Sequence, residues 1–170
     1  MKIIDLVVLL LEGDKLRSNY LQFAYQVKSS TTMCLWTASA VNDYFNRGRA
    51  DVYTATVDLT KASDLVPWEN LFDILQNRGV NGLFMRLILY IYMNQKCNVK
   101  WCGELSNSFR VKNGARQGVV SSGILFAVYM DYILTLLRKS GLGYHTKGVF
   151  YGVVAYADDI LILSSSHNGN

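Results

Sequence analysis

Two adjacent aspartates, Asp158 and Asp159, sit between two apolar runs, Val153-Val154-Ala155 and Ile160-Leu161-Ile162. Like charges held side by side repel, and the apolar flanks pin the turn so that the pair cannot move apart. Such a pair destabilises the fold unless a cation neutralises it. Hard divalent cations take oxygen ligands of this kind. Mg²⁺ binds through one or two carboxylates and fills its shell with water and substrate phosphates. An ordinary Asp-rich hairpin turn is the competing reading, because Asp also favours turns through bonds to its own backbone.

A third carboxylate, Asp58, ends the alternating, β-branched run 51–58 (DVYTATVD), just before a turn. Three aspartates from two strand ends could bracket two metals roughly 3.5–4 Å apart, the spacing of in-line phosphoryl transfer. One ion would activate an attacking hydroxyl and the other would hold a leaving pyrophosphate. The expected ions are Mg²⁺, with Mn²⁺ as a substitute, and side chains would act mainly by positioning and charge neutralisation. Whether the two strands are neighbours stays open at this level.

Between these carboxylates lies Gly114-Ala115-Arg116-Gln117-Gly118, then Ser121-Ser122-Gly123 and a long apolar segment. A Gly-rich turn before a helix exposes backbone N–H groups to a phosphate or a base edge. Arg116 adds charge and Gln117 can both donate and accept. A plain loop with a helix cap fits the same residues.

The elements that must carry these groups can be read from spacing. Residues 2–11 form an apolar helix closed by Gly13. Residues 31–46 place Cys34, Ala38, Val41 and Phe45 on one helical face, with a Thr to cap the start. Pro67 suits the first turn of a helix running to about Asn77, and 81–94 is a second, strongly apolar helix. Residues 96–101 and 108–112 read as a strand pair around Cys102-Gly103-Glu104. Residues 121–138 are a long Ser-capped helix. Residues 149–156 and 160–164 are strands joined at Ala157-Asp158-Asp159. The order predicts an α+β fold with a mostly antiparallel sheet.

Bulk properties narrow the class. The 170 residues suffice for one domain with a real core, and an apolar share of 51% excludes a disordered tail. Net charge is +4, which suits a nucleic-acid partner without requiring one. Cys34, Cys97 and Cys102 lack CxxC spacing and read as reduced thiols. The apolar run 3–11 is interrupted by Asp5 and is too short to span a bilayer, so a buried helix is expected rather than a signal peptide. No membrane partner is expected, and the nucleus or cytoplasm is the expected compartment. His145 and His167 have no partner at metal spacing. Trp36, Trp68 and Trp101 could stack bases or pack in the core. Arg47, Arg49, Lys96, Lys100, Arg110, Lys112 and Arg116 could line a template strand or be scattered solvated charge.

Three stretches in this order resemble the reverse transcriptases of non-LTR (LINE-class) retrotransposons. Val57-Asp58-Leu59-Thr60-Lys61-Ala62-Ser63-Asp64 is similar to (L/V)D(F/L)SKAFD. Arg116-Gln117-Gly118-Val119-Val120-Ser121-Ser122-Gly123-Ile124-Leu125-Phe126 is similar to RQG(G/S)(V/I)LSPxLF. Tyr156-Ala157-Asp158-Asp159 is the YADD box unchanged. Upstream, Gln22-Phe23-Ala24-Tyr25 and Ser30-Thr31 resemble QFGF…ST.

The resemblance implies a right-hand polymerase: a palm with a ferredoxin-like antiparallel sheet and helices, plus part of the fingers. Fingers would occupy about residues 1–50, and the palm with finger insertions 51–165. Asp58, Asp158 and Asp159 would be the catalytic metal ligands. Ser63, Arg116, Gln117, Gly118 and Tyr156 would contact substrate. The implied partners are an RNA template, a DNA primer and deoxynucleoside triphosphates, with attack of a primer 3′-hydroxyl on the α-phosphate.

Ser63 stands where the family carries an aromatic residue that excludes ribonucleotides by blocking a 2′-hydroxyl. Ser121 and Gly123 replace the Leu and Pro of the LSP step. Eleven residues follow Asp159, too few for a thumb, so a fragment lacking one is expected. A silent nucleic-acid-binding remnant and an RNA-directed RNA polymerase palm are the competing readings.

Overall fold

The computed structural model describes residues 2–48, 51–116 and 118–165. The described residues form five α-helices: α1 (Lys2–Glu12), α2 (Thr31–Arg47), α3 (Trp68–Asn77), α4 (Gly82–Met93) and α5 (Val120–Lys139). Strands β1 (Tyr53–Val57), β8 (Val153–Tyr156) and β9 (Asp159–Ser164) form an antiparallel sheet in the order β1-β9-β8. Three short ladders lie outside it. They join β2 (Lys96–Cys97) to β5 (Phe109–Arg110), β3 (Lys100–Trp101) to β4 (Glu104–Leu105), and β6 (His145–Thr146) to β7 (Val149–Phe150).

Side-chain alternation along the sheet makes two apolar layers. Val153, Ala155 and Ile160 enter the main core with Leu125, Val128, Met130 and Leu134 of α5 and Leu71 and Leu75 of α3. Val154 and Leu163 point the other way and meet Val41 of α2 and Tyr144. The sheet is therefore covered by α5 on one face and α2 on the other, and β9 is its central strand. β1 is an edge strand with all five residues exposed. Segment Ser121–Lys139 is long and apolar enough to cross a bilayer on length and composition. Its Leu125, Val128 and Leu134 are buried against protein, so it meets that criterion as a core helix.

The α+β prediction holds, with local differences that have local causes. The cap of α2 is Ser30, whose Oγ accepts from the Met33 N–H at 3.2 Å. Pro67 is the extended N-cap residue of α3, one step before the first turn. Val119 precedes α5 without a side-chain cap, and Ser122 lies inside the first turn, its hydroxyl donating to the Arg116 carbonyl. The 149–156 strand divides because its partner changes: the Tyr151 N–H continues the β6–β7 ladder to the Tyr144 carbonyl at 2.7 Å, whereas the Gly152 carbonyl already accepts from the Leu163 N–H of β9 at 2.8 Å. The 96–112 pair divides at Val99, whose N–H is taken by the Ser106 hydroxyl at 2.9 Å. Its tip, Cys102-Gly103, has positive φ at both residues (47° and 88°), the turn that suits a two-residue hairpin.

Candidate active site

Register places the carboxylates. Val57 pairs with Ile160 in the β1–β9 ladder, so Asp58 follows the last rung on one strand and Asp159 precedes it on the other. Tyr156 pairs with Asp159 across a two-residue loop, Ala157-Asp158. Ala157 has φ 56° and Asp158 is not among the positive-φ residues, the sign pattern of a II′ turn, where Gly is the easy choice. A residue with a Cβ occupies that conformation at a cost of roughly 1–2 kcal/mol, so something else must hold it there.

Gln22 supplies the restraint. Its side chain is 1% exposed. Its Oε1 accepts from the N–H groups of Ala157 at 2.8 Å and Ala24 at 3.0 Å, and its Nε2 donates to the Ala157 carbonyl at 3.0 Å. Both backbone groups of the strained residue are thus bonded to one buried amide. The strand beside it is fixed as well: Phe23 N–H donates to the Ala155 carbonyl and Ala155 N–H to the Leu21 carbonyl, each at 2.8 Å.

The Gly114–Arg116 loop is stitched to the segment that follows Asp58. Ala115 N–H donates to the Ser63 carbonyl at 2.7 Å, and Gly114 N–H to the Val66 carbonyl at 2.9 Å. Trp68 Nε1 donates to the Gly114 carbonyl at 2.9 Å, and its ring meets Tyr92 edge-on. Gly114 has φ 92°, and a Cβ there would lie 2.8 Å from the Asp64 carbonyl oxygen, so only glycine permits this approach. Two stretches about fifty residues apart are thereby locked into one wall.

Two cavities flank the turn. One, about 310 Å³, is lined by Tyr25, Ser63, Arg116, Gly118, Gly123 and Asp158 among others. The other, about 490 Å³, lies between α2 and the sheet and is lined by Cys34, Leu35, Asp58, Tyr156 and Asp159 among others. The fold therefore brings Asp158 together with Ser63, Arg116 and Gly118, and brings Asp58 together with Asp159 and Tyr156. Gln117 lies outside the described residues. Among the described residues no group of three His, Cys, Asp or Glu side chains is gathered tightly enough to hold a metal ion. The donor set still fits Mg²⁺, which needs only one or two protein carboxylates with water and phosphate oxygens for the rest. Asp58 and Asp159 meet that need at the joined strand ends. Cys34, on the same cavity, has its thiol pushed above the usual range by burial and then by the Asp159 charge. It is a neutral thiol at neutral pH, and the described cysteines are all free.

Trp68 is part of the wall, whereas Trp36 and Trp101 are exposed. Lys96, Lys100, Arg110 and Lys112 all lie exposed on the 96–112 hairpin or its base, and Arg47 ends α2. Arg49 and His167 lie outside the described residues, and His145 is exposed in β6. The sequence reading gave Gln22 and Tyr25 no role. Their place in the QFGF-like stretch was the available signal, but neither side chain has a chemistry that marks a site by type.

Comparison with known proteins assigns the class. The family described as reverse transcriptase (RNA-dependent DNA polymerase) matches residues 6–169. The chain belongs to this family. Among relatives, it is 27% identical over 118 residues to the Retrovirus-related Pol polyprotein from type-1 retrotransposable element R2 of Nasonia vitripennis, covering 69% of the chain and 11% of that protein. It is 32% identical over 111 residues to the Transposon TX1 uncharacterized 149 kDa protein of Xenopus laevis, covering 64% of the chain and 8% of that protein. The chain thus spans a small part of the length of these relatives. Among solved structures it resembles apo telomerase of Candida tropicalis truncated from the C-terminal domain, with a TM-score of 0.65 at 14% identity over 98% of this chain and 34% of that one. Telomerase of Candida albicans in complex with a fragment of telomeric RNA gives a TM-score of 0.63 at 14% identity over 98% and 30%. The fold is the polymerase palm with its helices and antiparallel sheet.

Proposed function

We propose that this chain is the fingers (about 1–50) and palm (51–165) portion of an RNA-directed DNA polymerase of a non-LTR retroelement. The observation that carries the reading is the convergence on one turn. Asp58 and Asp159 lie at the joined ends of paired strands, and Asp158 of the same turn borders the cavity of Ser63, Arg116 and Gly118. Two Mg²⁺ ions, when bound, would neutralise phosphate charge and lower the pKa of a primer 3′-hydroxyl. Asp58, Asp158 and Asp159 would hold them. Arg116 would add positive charge against the triphosphate of a deoxynucleotide. Gly118, at φ 80° and without a Cβ, lets the backbone come close to the new base pair. Gln117 would complete that wall beside the template.

Primer extension tests this reading. The chain should extend a DNA primer on an RNA template with Mg²⁺, and Asp158→Asn should abolish extension. Equal activity in that variant would remove Asp158 from the site. A second reading, an RNA-binding remnant without catalysis, draws on the lack of a three-carboxylate group among the described residues. It expects salt-dependent RNA binding with no incorporation at any Mg²⁺ concentration.

A further inference from the structure

The cavity that holds Ser63 and Asp158 has two aromatic side chains in its lining, Tyr25 and Phe126. Phe126 is 4% exposed and belongs to the core. Tyr25 is 56% exposed and lines the same cavity. The ring lies directly over Gly123. A Cβ at Gly123 would sit 2.2 Å from Tyr25 Cε1, so the glycine is what admits the ring. Tyr25 also has φ 58°, a left-handed backbone that costs a bulky residue energy and recurs where function over-determines a conformation. Gln22 fixes the segment that presents it, through the 3.0 Å bond from the Ala24 N–H. A large ring held half exposed, in a strained conformation, on a glycine platform does little for folding. It does shape the cavity mouth.

We propose that Tyr25 is the specificity-determining residue that selects the sugar of the incoming nucleotide, in place of the aromatic side chain absent at Ser63. The inference rests on the polymerase reading. Ser63 is too small to obstruct a 2′-hydroxyl from its side of the cavity. The Tyr25 ring enters the same cavity from the fingers segment. Its apolar face takes up the room a 2′-hydroxyl needs and presents no lone-pair acceptor to that hydroxyl. A hydroxyl driven into such contact loses its water partners without replacement, which favours the deoxy sugar by about tenfold or more.

The test is equilibrium binding of dATP and ATP to the full chain with an RNA template, a dideoxy-terminated DNA primer and Mg²⁺. The wild type should prefer dATP by about tenfold. Tyr25→Ser should bring the ratio close to unity, Tyr25→Phe should keep it, and Ser63→Phe added to Tyr25→Ser should restore it. Gly123→Ala, which evicts the ring without removing it, should lower the ratio too, and it decides the matter if Tyr25→Ser does not fold. A dATP/ATP ratio unchanged by Tyr25→Ser, or by Gly123→Ala in that case, overturns the gate and leaves the polymerase reading standing. A wild type that binds both nucleotides without preference does the same. A wild type that binds neither overturns the polymerase reading and the gate with it.

Discussion

The Tyr156–Asp159 turn and the 96–112 hairpin are both two-residue β-turns, yet they are supported in opposite ways. The first is held from outside. Gln22 bonds both backbone groups of Ala157, and the paired strands run into packed layers on both faces. The second stands on its own ladders of two residues each, with every residue from Asn98 to Arg110 exposed. Side-chain bonds from Ser106 and Asn98 replace the missing rungs. In the first, geometry is imposed by distant parts of the chain, as a site that must position charge requires. In the second, geometry is local and adaptable, and Lys96 faces Arg110 across the ladder with like charge. Such a pair weakens a hairpin unless an anion lies over it.

Removing the external support should have the largest effect. Gln22→Ala strands the N–H and C=O of Ala157 and the N–H of Ala24, and should cost about 3 kcal/mol in urea unfolding. Gln22→Glu, which buries a carboxylate against the Ala157 carbonyl, should cost at least as much. A loss below about 1 kcal/mol for Gln22→Ala would show that the turn holds itself. Next comes Gly114→Ala, whose Cβ meets the Asp64 carbonyl at a backbone φ of 92°. It should cost about 2 kcal/mol and lower Tm by roughly 4–8 °C.

The hairpin should behave in the reverse sense. Lys96→Ala with Arg110→Ala should change stability by less than about 0.5 kcal/mol. The same pair should lower affinity for single-stranded RNA and reduce the slope of log K against log salt by about 1.4, or roughly 0.7 per phosphate contact. An unchanged slope would make the hairpin charges solvated decoration. The smallest effect is a pH dependence of the α2 side of the sheet. Tyr144 has its pKa raised by burial, then by Asp51 and Tyr53, and its hydroxyl donates to the Asp51 carbonyl. With the folded value above the ordinary 10.0, its contribution is complete below pH 10 and is lost as pH rises through the raised value. Tyr144→Phe should flatten that alkaline decline in thermal unfolding scans.

The helices were legible because their evidence is local. Cys34, Ala38, Val41 and Phe45 repeat at helical spacing within α2, and β1 alternates within five residues. Where single bonds decide an element, spacing misleads. The bond from the Tyr151 N–H to the Tyr144 carbonyl keeps β7 on β6 while β8 pairs with β9, and Ser106 breaks the hairpin ladder. Neither bond leaves a trace in hydrophobic pattern. The candidate site divides in the same way. Asp58, Asp158 and Asp159 announce themselves because adjacent carboxylates between apolar strands are chemically costly. Gln22 and Tyr25 do not, because an amide and a phenol acquire a role only from what they face.

By itself, then, the sequence determined the carboxylates of the turn, the order of the elements and the family to which they belong. Tertiary structure decided that Asp58 lies beside Asp159, since only the β1–β9 register joins strands about a hundred residues apart. It also decided that Asp158 borders a different cavity from its neighbour, and that the turn is held by an amide 135 positions away. Residue types and spacings fix local conformation through sterics and periodicity. Which distant groups meet is fixed only when the two faces of the sheet are buried and each backbone polar group must find a partner.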